Sequence, residues 1–291
     1  MASALNTKIN SYALERGLEL NETPTSAPTR TGTNGLGTWT VRNAANILFE
    51  PTVGPAGGAG STRFTAVPST GGAFETTSLV ELANIDDEDW TIGIWFKVNP
   101  LPNYFNTTGT VAGLNILRLT PNNNSQGFVA SVTPMNITSS EHAGRMIYNM
   151  TGLNSVKSPI VTANAWHYTA VRRLGTTMEC YYDGVLIGTE ENPTLTAASA
   201  RLAIGNQSNG NFGSPMWWAS NFHMGPASVL NPTAIAEIWA VGSGGTTTPT
   251  RTVKYYNGTA WVNSSAQKVY NGTAWVDWNA KRYDGSNWVV V

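Results

Sequence analysis

Charge is scarce in this sequence. Lys and Arg number 17 and Asp and Glu 18, together 12% of 291 residues, and the formal net charge is -1. A typical soluble domain carries about 25% charged residues. A near-neutral chain lacks the field that captures nucleic acid or an anionic membrane surface, so neither is an expected partner. Cysteine is scarcer still. The single Cys180 permits no intramolecular disulfide and no Cys-based zinc cluster. The three histidines, His142, His167 and His223, follow no metal-ligand spacing. No stretch approaches the roughly 20 apolar residues that cross a bilayer, and Met1 to Lys8 lacks the apolar run of a secretory signal. The expectation is a protein made in a cytoplasm, neither secreted nor inserted into a membrane.

What is present is aromatic and turn-forming. Hydrophobic residues make up 41%, with 11 Trp, 10 Tyr and 29 Gly. That is enough apolar material for a core, and its composition favours strands and turns over helices. Residues 1–62 read as an N-terminal arm. Leu5, Ile9, Tyr12 and Arg16 fall on one helical stripe with Leu14 and Leu18 beside it, predicting a short amphipathic helix ended by Pro24 and Pro28. Thr38 to Val41 is a candidate strand, and the Pro/Gly-rich Pro51 to Gly60 excludes regular structure. With no core of its own, such an arm must lie on its own domain, a neighbouring subunit or a larger assembly.

Residues 63–242 read as a train of strands. Trp90 to Val98 alternates apolar positions, and similar runs are Val111 to Leu119, Gly127 to Val132, Arg145 to Met150, Trp166 to Arg172, Met178 to Tyr182 and Arg201 to Ile204. Asp183-Gly184 supplies the positive φ angles of a type I′ hairpin turn. One helix is predicted over Ala234 to Trp239, capped by Asn231-Pro232-Thr233 and stopped by Gly242. A Gly/Ser/Thr linker, 243–250, follows.

The last segment, 251–291, repeats itself. Lys254 to Val262 recurs as Lys268 to Val276 and again as Lys281 to Val289, at spacings of 14 and 13 residues. Each unit is a strand, an Asn-Gly or Asp-Gly turn and a second strand. A piece this small buries too little surface to fold unaided, and it has neither disulfide nor metal ligands. Tyr256, Trp261, Tyr270, Trp275, Tyr283 and Trp288 must therefore find a surface elsewhere. Intertwined copies in a homotrimer would supply one, as would a docking partner; the alternative is stacking on sugar rings.

The order of motifs in the middle region resembles the laminin-G-like, or concanavalin A-like, jelly-roll family. The matching residues are Asp89 to Phe96, Trp166 to Arg172, the hairpin Cys180 to Gly188, Leu202 to Gly205 and the closing turn and helix Ala227 to Ile238. The resemblance implies an all-β jelly-roll sandwich, here with an N-terminal extended arm and a C-terminal β-hairpin repeat segment. That fold carries lectins, glycosidases and structural modules alike. Where the family often has Gly-x-Ile-Asp before its last strand, this chain has Trp217 to His223, so no ligand or calcium role of that Asp carries over. The C-terminal repeats resemble short repeats common in tailed-bacteriophage virion proteins.

Chemistry is thin. Glycosidases on this fold place alternating acids along one strand, and no such pattern occurs. Asp86, Asp87, Glu88 and Asp89 are consecutive, which predicts a solvated turn, with a calcium site as the alternative because hard oxygen donors suit that ion. His167 reads as a structural histidine and Cys180 as a small buried hydrophobe. No catalytic residue, resident metal or cofactor is expected. For binding, the loop from Asn206 to Trp218 holds Asn209, Asn211, Phe212, Trp217 and Trp218, the aromatic-plus-amide combination that sugar sites use. The alternative is that Trp217 and Trp218 simply open the final strand, facing opposite sides. The expected role is a non-enzymatic structural protein on a bacteriophage virion, as capsid decoration, head fibre or tail fibre. Its partners would be a homotrimer, virion proteins held by the arm, and host surface glycans. A free lectin module is the alternative, and a glycoside hydrolase the third.

Overall fold

Leu5 and Ile9 lie four residues apart, one helical turn, and both are buried on helix α1 (Ala4–Asn10) in the computed structural model. The structure describes residues 4–12, 16–18, 29–31, 38–42, 44–56, 60–65, 73–76, 89–99, 114–121, 128–132, 144–150, 156–191, 200–205 and 216–244, with six short strands beyond them. After α1 the chain gives short strands β1 (Arg16–Leu18), β2 (Thr29–Thr31), β3 (Thr38–Arg42), β4 (Ile47–Glu50), β5 (Ser61–Phe64) and β6 (Ala73–Thr76). Longer ones follow: β7 (Trp90–Val98), β8 (Leu114–Pro121), β9 (Phe128–Val132), β10 (Arg145–Met150), β11 (Val156–Ile160) and β12 (Trp166–Leu174). The set continues with β13 (Thr177–Tyr182), β14 (Val185–Glu191), β15 (Ala200–Gly205), β16 (Trp217–Pro226) and helix α2 (Pro232–Gly242).

These strands make two antiparallel sheets. One runs β14-β13-β12-β7-β16-β5-β4, with β1 also paired to β16; the other runs β11-β10-β9-β8-β15-β6-β3-β2. Their facing sides bury Phe64, Ile92, Phe96, Ile116, Tyr148, Leu202 and Trp217. Each such side chain contributes roughly 1.5–3 kcal/mol on leaving water. The outer side of the first sheet has its own cover: α1 and α2 bury Trp95, Tyr168, Ala170 and Tyr181 beneath Leu5, Leu230, Ile235 and Ile238. The result is a jelly-roll sandwich with a helical lid on one outer face.

Most predicted strands sit where the residues put them, and the hairpin turn has φ +50° at Asp183 and +77° at Gly184, the type I′ signs. Three expectations are corrected. Of the surfaces expected for residues 1–62, their own domain is the one observed, and their described strands are sheet members instead of a separate arm. β1 pairs with β16, β2 and β3 extend the second sheet, and β4 pairs with β5 at the edge of the first. The helical stripe stops at Asn10, and Arg16 and Leu18 lie on β1, because a sheet edge on β16 competes successfully with a short helix. Gly242 is the last helical residue, not the stop beyond α2; positive φ comes at Gly244 (+80°). Gly242 is required by packing, since a Cβ there would lie 2.0 Å from the Trp95 ring. The cap is as expected, with the Asn231 side chain accepting from the Ala234 N–H at 3.1 Å behind Pro232.

The chain divides into two compact units, Met1–Thr247 and Thr248–Val291. In the second, β17 (Lys254–Tyr256) pairs with β18 (Trp261–Asn263), β19 (Lys268–Tyr270) with β20 (Trp275–Asp277), and β21 (Lys281–Tyr283) with β22 (Trp288–Val290). Each hairpin is a separate two-stranded sheet. In each, the repeat's Tyr and Trp occupy facing register positions: Tyr256 and Trp261, Tyr270 and Trp275, Tyr283 and Trp288.

Candidate functional site

Antiparallel register places one side chain from each of five neighbouring strands in a row across the first sheet. Trp166 on β12 faces Lys97 on β7, Lys97 faces Trp218 on β16, Trp218 faces Arg63 on β5, and Arg63 faces Leu48 on β4. Directly opposed residues share a face. This is the outer face, because the alternate neighbours Phe96, Trp217 and Phe64 point into the core. With strands spaced about 4.8 Å apart, the row spans roughly 19 Å. It begins where the helical lid ends: Tyr168 and Trp95, two residues from Trp166 and Lys97, lie under α1 and α2.

The row mixes aromatic surface with polar groups. The Lys97 ammonium lies 4.1 Å from the Trp218 ring centre and 5.5 Å from that of Trp166, an attraction to the electron-rich ring faces. Burial lowers the Lys97 pKa, and the negative charge of Glu50 works the other way. Glu50 accepts from Trp218 Nε1–H at 2.8 Å and pairs with Arg63 at 2.8 Å. Trp166 and Lys97 are half-buried, and Leu48 is 40% exposed.

Of the residues expected at a sugar site, Trp217 is fully buried. Its ring stacks on Phe64 with centres 4.2 Å apart and planes 9° apart, so it offers no face to a ligand. Trp218 turns outward but is only 7% exposed, beneath Lys97. It therefore supports the surface instead of forming an open platform. The strand pleat sends adjacent residues to opposite sides, and this separates the two tryptophans. Asn209, Asn211 and Phe212 lie outside the described residues, as do the side chains of Tyr256, Trp261, Tyr270, Trp275, Tyr283 and Trp288. Lys97 and Trp166 were absorbed into strand motifs in the sequence; the signal for them was a lone lysine inside an apolar strand and an aromatic heading the next.

The acidic run is only partly described. Asp86, Asp87 and Glu88 lie outside the described residues. Asp89 accepts the Gly175 N–H at 2.5 Å through Oδ1 and the Ala227 N–H at 3.1 Å through its carbonyl, so it fastens two turns. Among the described residues no group of three or more His, Cys, Asp or Glu is arranged to hold a metal.

Four further titratable groups among the described residues are built into the fold. Asp183 accepts the Tyr168 N–H at 2.9 Å through Oδ1 and contacts His167 Nδ1 at 2.9 Å through Oδ2. Tyr182 OH lies 2.8 Å from the same nitrogen, and Thr162 holds His167 Nε2 at 3.1–3.2 Å. His167 is thus saturated by structural partners. Glu179 is held by Arg172 at 2.8 Å and by Tyr181 OH at 2.7 Å. Burial raises the thiol pKa of Cys180.

The fold is thus an all-β sandwich with a row of aromatic and charged side chains on one outer face. The sequence matches the concanavalin A-like lectin/glucanases superfamily over residues 69–218, half of the chain, and the protein belongs to that superfamily. No curated protein sequence matches it. Among solved structures it is similar to the botulinum neurotoxin serotype G binding domain, at 13% identity and TM-score 0.52, covering 78% of this chain and 51% of that one. The binding domain of botulinum neurotoxin DC in complex with rat synaptotagmin II gives 16% identity and TM-score 0.54 over 79% and 52%. A structure of botulinum neurotoxin type C, whose cell entry depends on two ganglioside molecules, gives 12% and 0.54 over 80% and 52%. The chain spans about half the length of these proteins. At such identities the likeness establishes the fold, a concanavalin A-like jelly-roll sandwich.

Proposed function

We propose that this protein is a non-catalytic carbohydrate-binding module, with the Trp166–Lys97–Trp218–Arg63 row as its ligand surface. One observation carries the proposal: half-buried Trp166 and Lys97 stand side by side on an outer sheet face, next to the Glu50–Arg63 pair. An aromatic face packs on the apolar side of a pyranose, while the ammonium, guanidinium and carboxylate bond its hydroxyls. Membership of the lectin/glucanases superfamily supports a carbohydrate ligand, and the similar neurotoxin structures, one dependent on gangliosides and one in complex with synaptotagmin II, support a binding role. Catalysis has less support, because among the described residues Glu50, Glu179, Asp183 and Glu237 are each engaged by a cation, a ring N–H or a hydroxyl of the fold. The test is a broad glycan array probed with the full chain, then Trp166→Ala. Retention lost with Trp166→Ala is the expected result; a blank array overturns the proposal.

Display on the exterior of a bacteriophage particle, as a decoration or fibre subunit and a homotrimer, is the second role we propose. It rests on the three separate hairpins with strands of three residues each. A lone two-stranded hairpin is marginal in water, so an assembly partner would stabilise them. Light scattering on the full chain and on a truncation after Thr247 tests this. A trimer that becomes a monomer on truncation supports it, and a monomer in both forms removes its basis.

A further inference from the structure

We infer that the row on the first sheet selects carbohydrates bearing a carboxylate, with Lys97 Nζ as the anion contact and Trp166 as the neighbouring platform. This rests on the carbohydrate reading above and deepens it.

The charges within the row are unequal. Glu50 is matched at close range, through Oε1 by Arg63 and through Oε2 by Trp218 Nε1–H. Lys97 is not: among the described residues no carboxylate lies within ion-pair distance of its ammonium. Two aromatic faces hold it instead. Rings attract a cation but accept no N–H hydrogen bond of carboxylate strength, so the three ammonium protons retain donor capacity. Two positive charges against one negative leave the row with one positive charge in excess, within a protein of net charge -1.

The position is also pre-organised. The Lys97 ammonium is held over Trp218, which the β16–β7 register and the Glu50 bond both fix, so less side-chain freedom is lost when an anion arrives. Trp166 faces Lys97 directly across the strands, with side chains about 5 Å apart at their bases. A sugar ring on Trp166 would bring a ring-borne carboxylate toward Nζ. Partial burial weakens screening at the contact. A neutral sugar would gain the stacking but leave the ammonium half-desolvated without an anion.

Matched probe pairs test this with the full chain: polygalacturonate against its fully methyl-esterified form, and sialyllactose against lactose. Within each pair the acidic member carries the added charge. The expected result is at least about tenfold tighter binding of the acidic member in one pair or both, weakening as salt is raised. Which pair responds distinguishes a uronate from a sialic acid. Lys97→Met keeps an unbranched apolar side chain beside Trp218 while removing the charge, and should bring the ratio close to one; Lys97→Arg should restore it. Equal binding within both pairs overturns the acidic assignment and leaves the carbohydrate reading standing. Retention of no probe overturns the assignment, and only a blank neutral array besides would overturn the reading beneath it. A ratio unchanged in Lys97→Met, with the variant folded by circular dichroism, also sinks it.

Discussion

The Tyr168 hydroxyl donates to His223 Nε2 at 2.8 Å while His223 Nδ1–H donates to the Asn221 carbonyl at 2.9 Å. A carbonyl can only accept, so Nδ1 carries a proton; burial disfavours the imidazolium, which leaves Nε2 bare to accept from the Tyr168 hydroxyl. Asn221 itself sits at φ +49°, in the bulge that interrupts the β16–β7 register, and its amide donates to Asn6 of α1. One buried network therefore ties the N-terminal helix to the central strands.

Burial pulls the His223 pKa down to about 4 from 6.5, with the Asn221 bond acting weakly the other way. The unfolded chain takes up the proton near pH 6.5, whereas the native state does so only near 4. Between those values the unfolded state binds more protons, so stability is full above pH 6.5 and falls as pH drops toward 4. The loss approaches about 3 kcal/mol. Urea unfolding across this window should show that slope, and His223→Gln should flatten it. An equal slope in both proteins would assign the effect to another group.

Gly93 stands directly beneath this pair. A Cβ there would lie 2.3 Å from the Tyr168 hydroxyl and 2.5 Å from His223 Nε2, and neither ring can move without breaking the bond between them. Gly93→Ala should cost about 2–3 kcal/mol through overpacking. Gly175→Ala is the contrast, because nothing lies within 4 Å of its Cβ and only its φ of +58° resists substitution. Denaturant midpoints that rank the two the other way would contradict this packing.

The central strands were legible because composition and burial agree there. Trp90 to Val98 is β-branched and aromatic, and it is β7 to the residue. Arg145 to Met150 is β10 for the same reason. β4 and β5 escaped notice because strands of four residues flanking a Pro/Gly-rich turn carry little periodic signal, and their partners are remote in sequence. β16 showed only its first residues. It is buried along nearly its whole length, by the core on one side and by the helices and Lys97 on the other, so no polar alternation marks it. The candidate site was hidden in the same way. Lys97 and Trp166 are far apart in sequence and meet only through register.

Cys180 lies at 0% exposure on β13, opposite Val171, and burial raises its thiol pKa, with the negative charge of Glu190 acting in the same direction. The native protein should leave a thiol reagent such as dithionitrobenzoate unreacted over hours at neutral pH. In denaturant one equivalent should react within minutes. Rapid labelling of the native protein would mean that the edge strand β14 and its neighbour β13 open far more readily than their packing implies.

The grip of α1 on α2 separates packing from charge. Lys8 pairs with Glu237, and Tyr12 OH donates to the same carboxylate at 2.6 Å; these two bonds hold the Glu237 pKa below its ordinary value. The Lys8 and Glu237 side chains are 26% and 33% exposed, so solvent screens the pair and Glu237→Gln should cost less than about 1 kcal/mol. Leu5 is fully buried against Trp95, Leu230 and the α2 residues, and Leu5→Ala should cost about 3 kcal/mol. Both substitutions are read by urea unfolding and by protease cleavage between α1 and β1. If Glu237→Gln releases the N-terminal segment to protease as readily as Leu5→Ala does, the ion pair is the principal fastening and the apolar contact the lesser one. The burial of Leu5 argues for the reverse, because removing its side chain leaves a void under the helix that neither Trp95 nor Ile235 can fill without leaving its own packing.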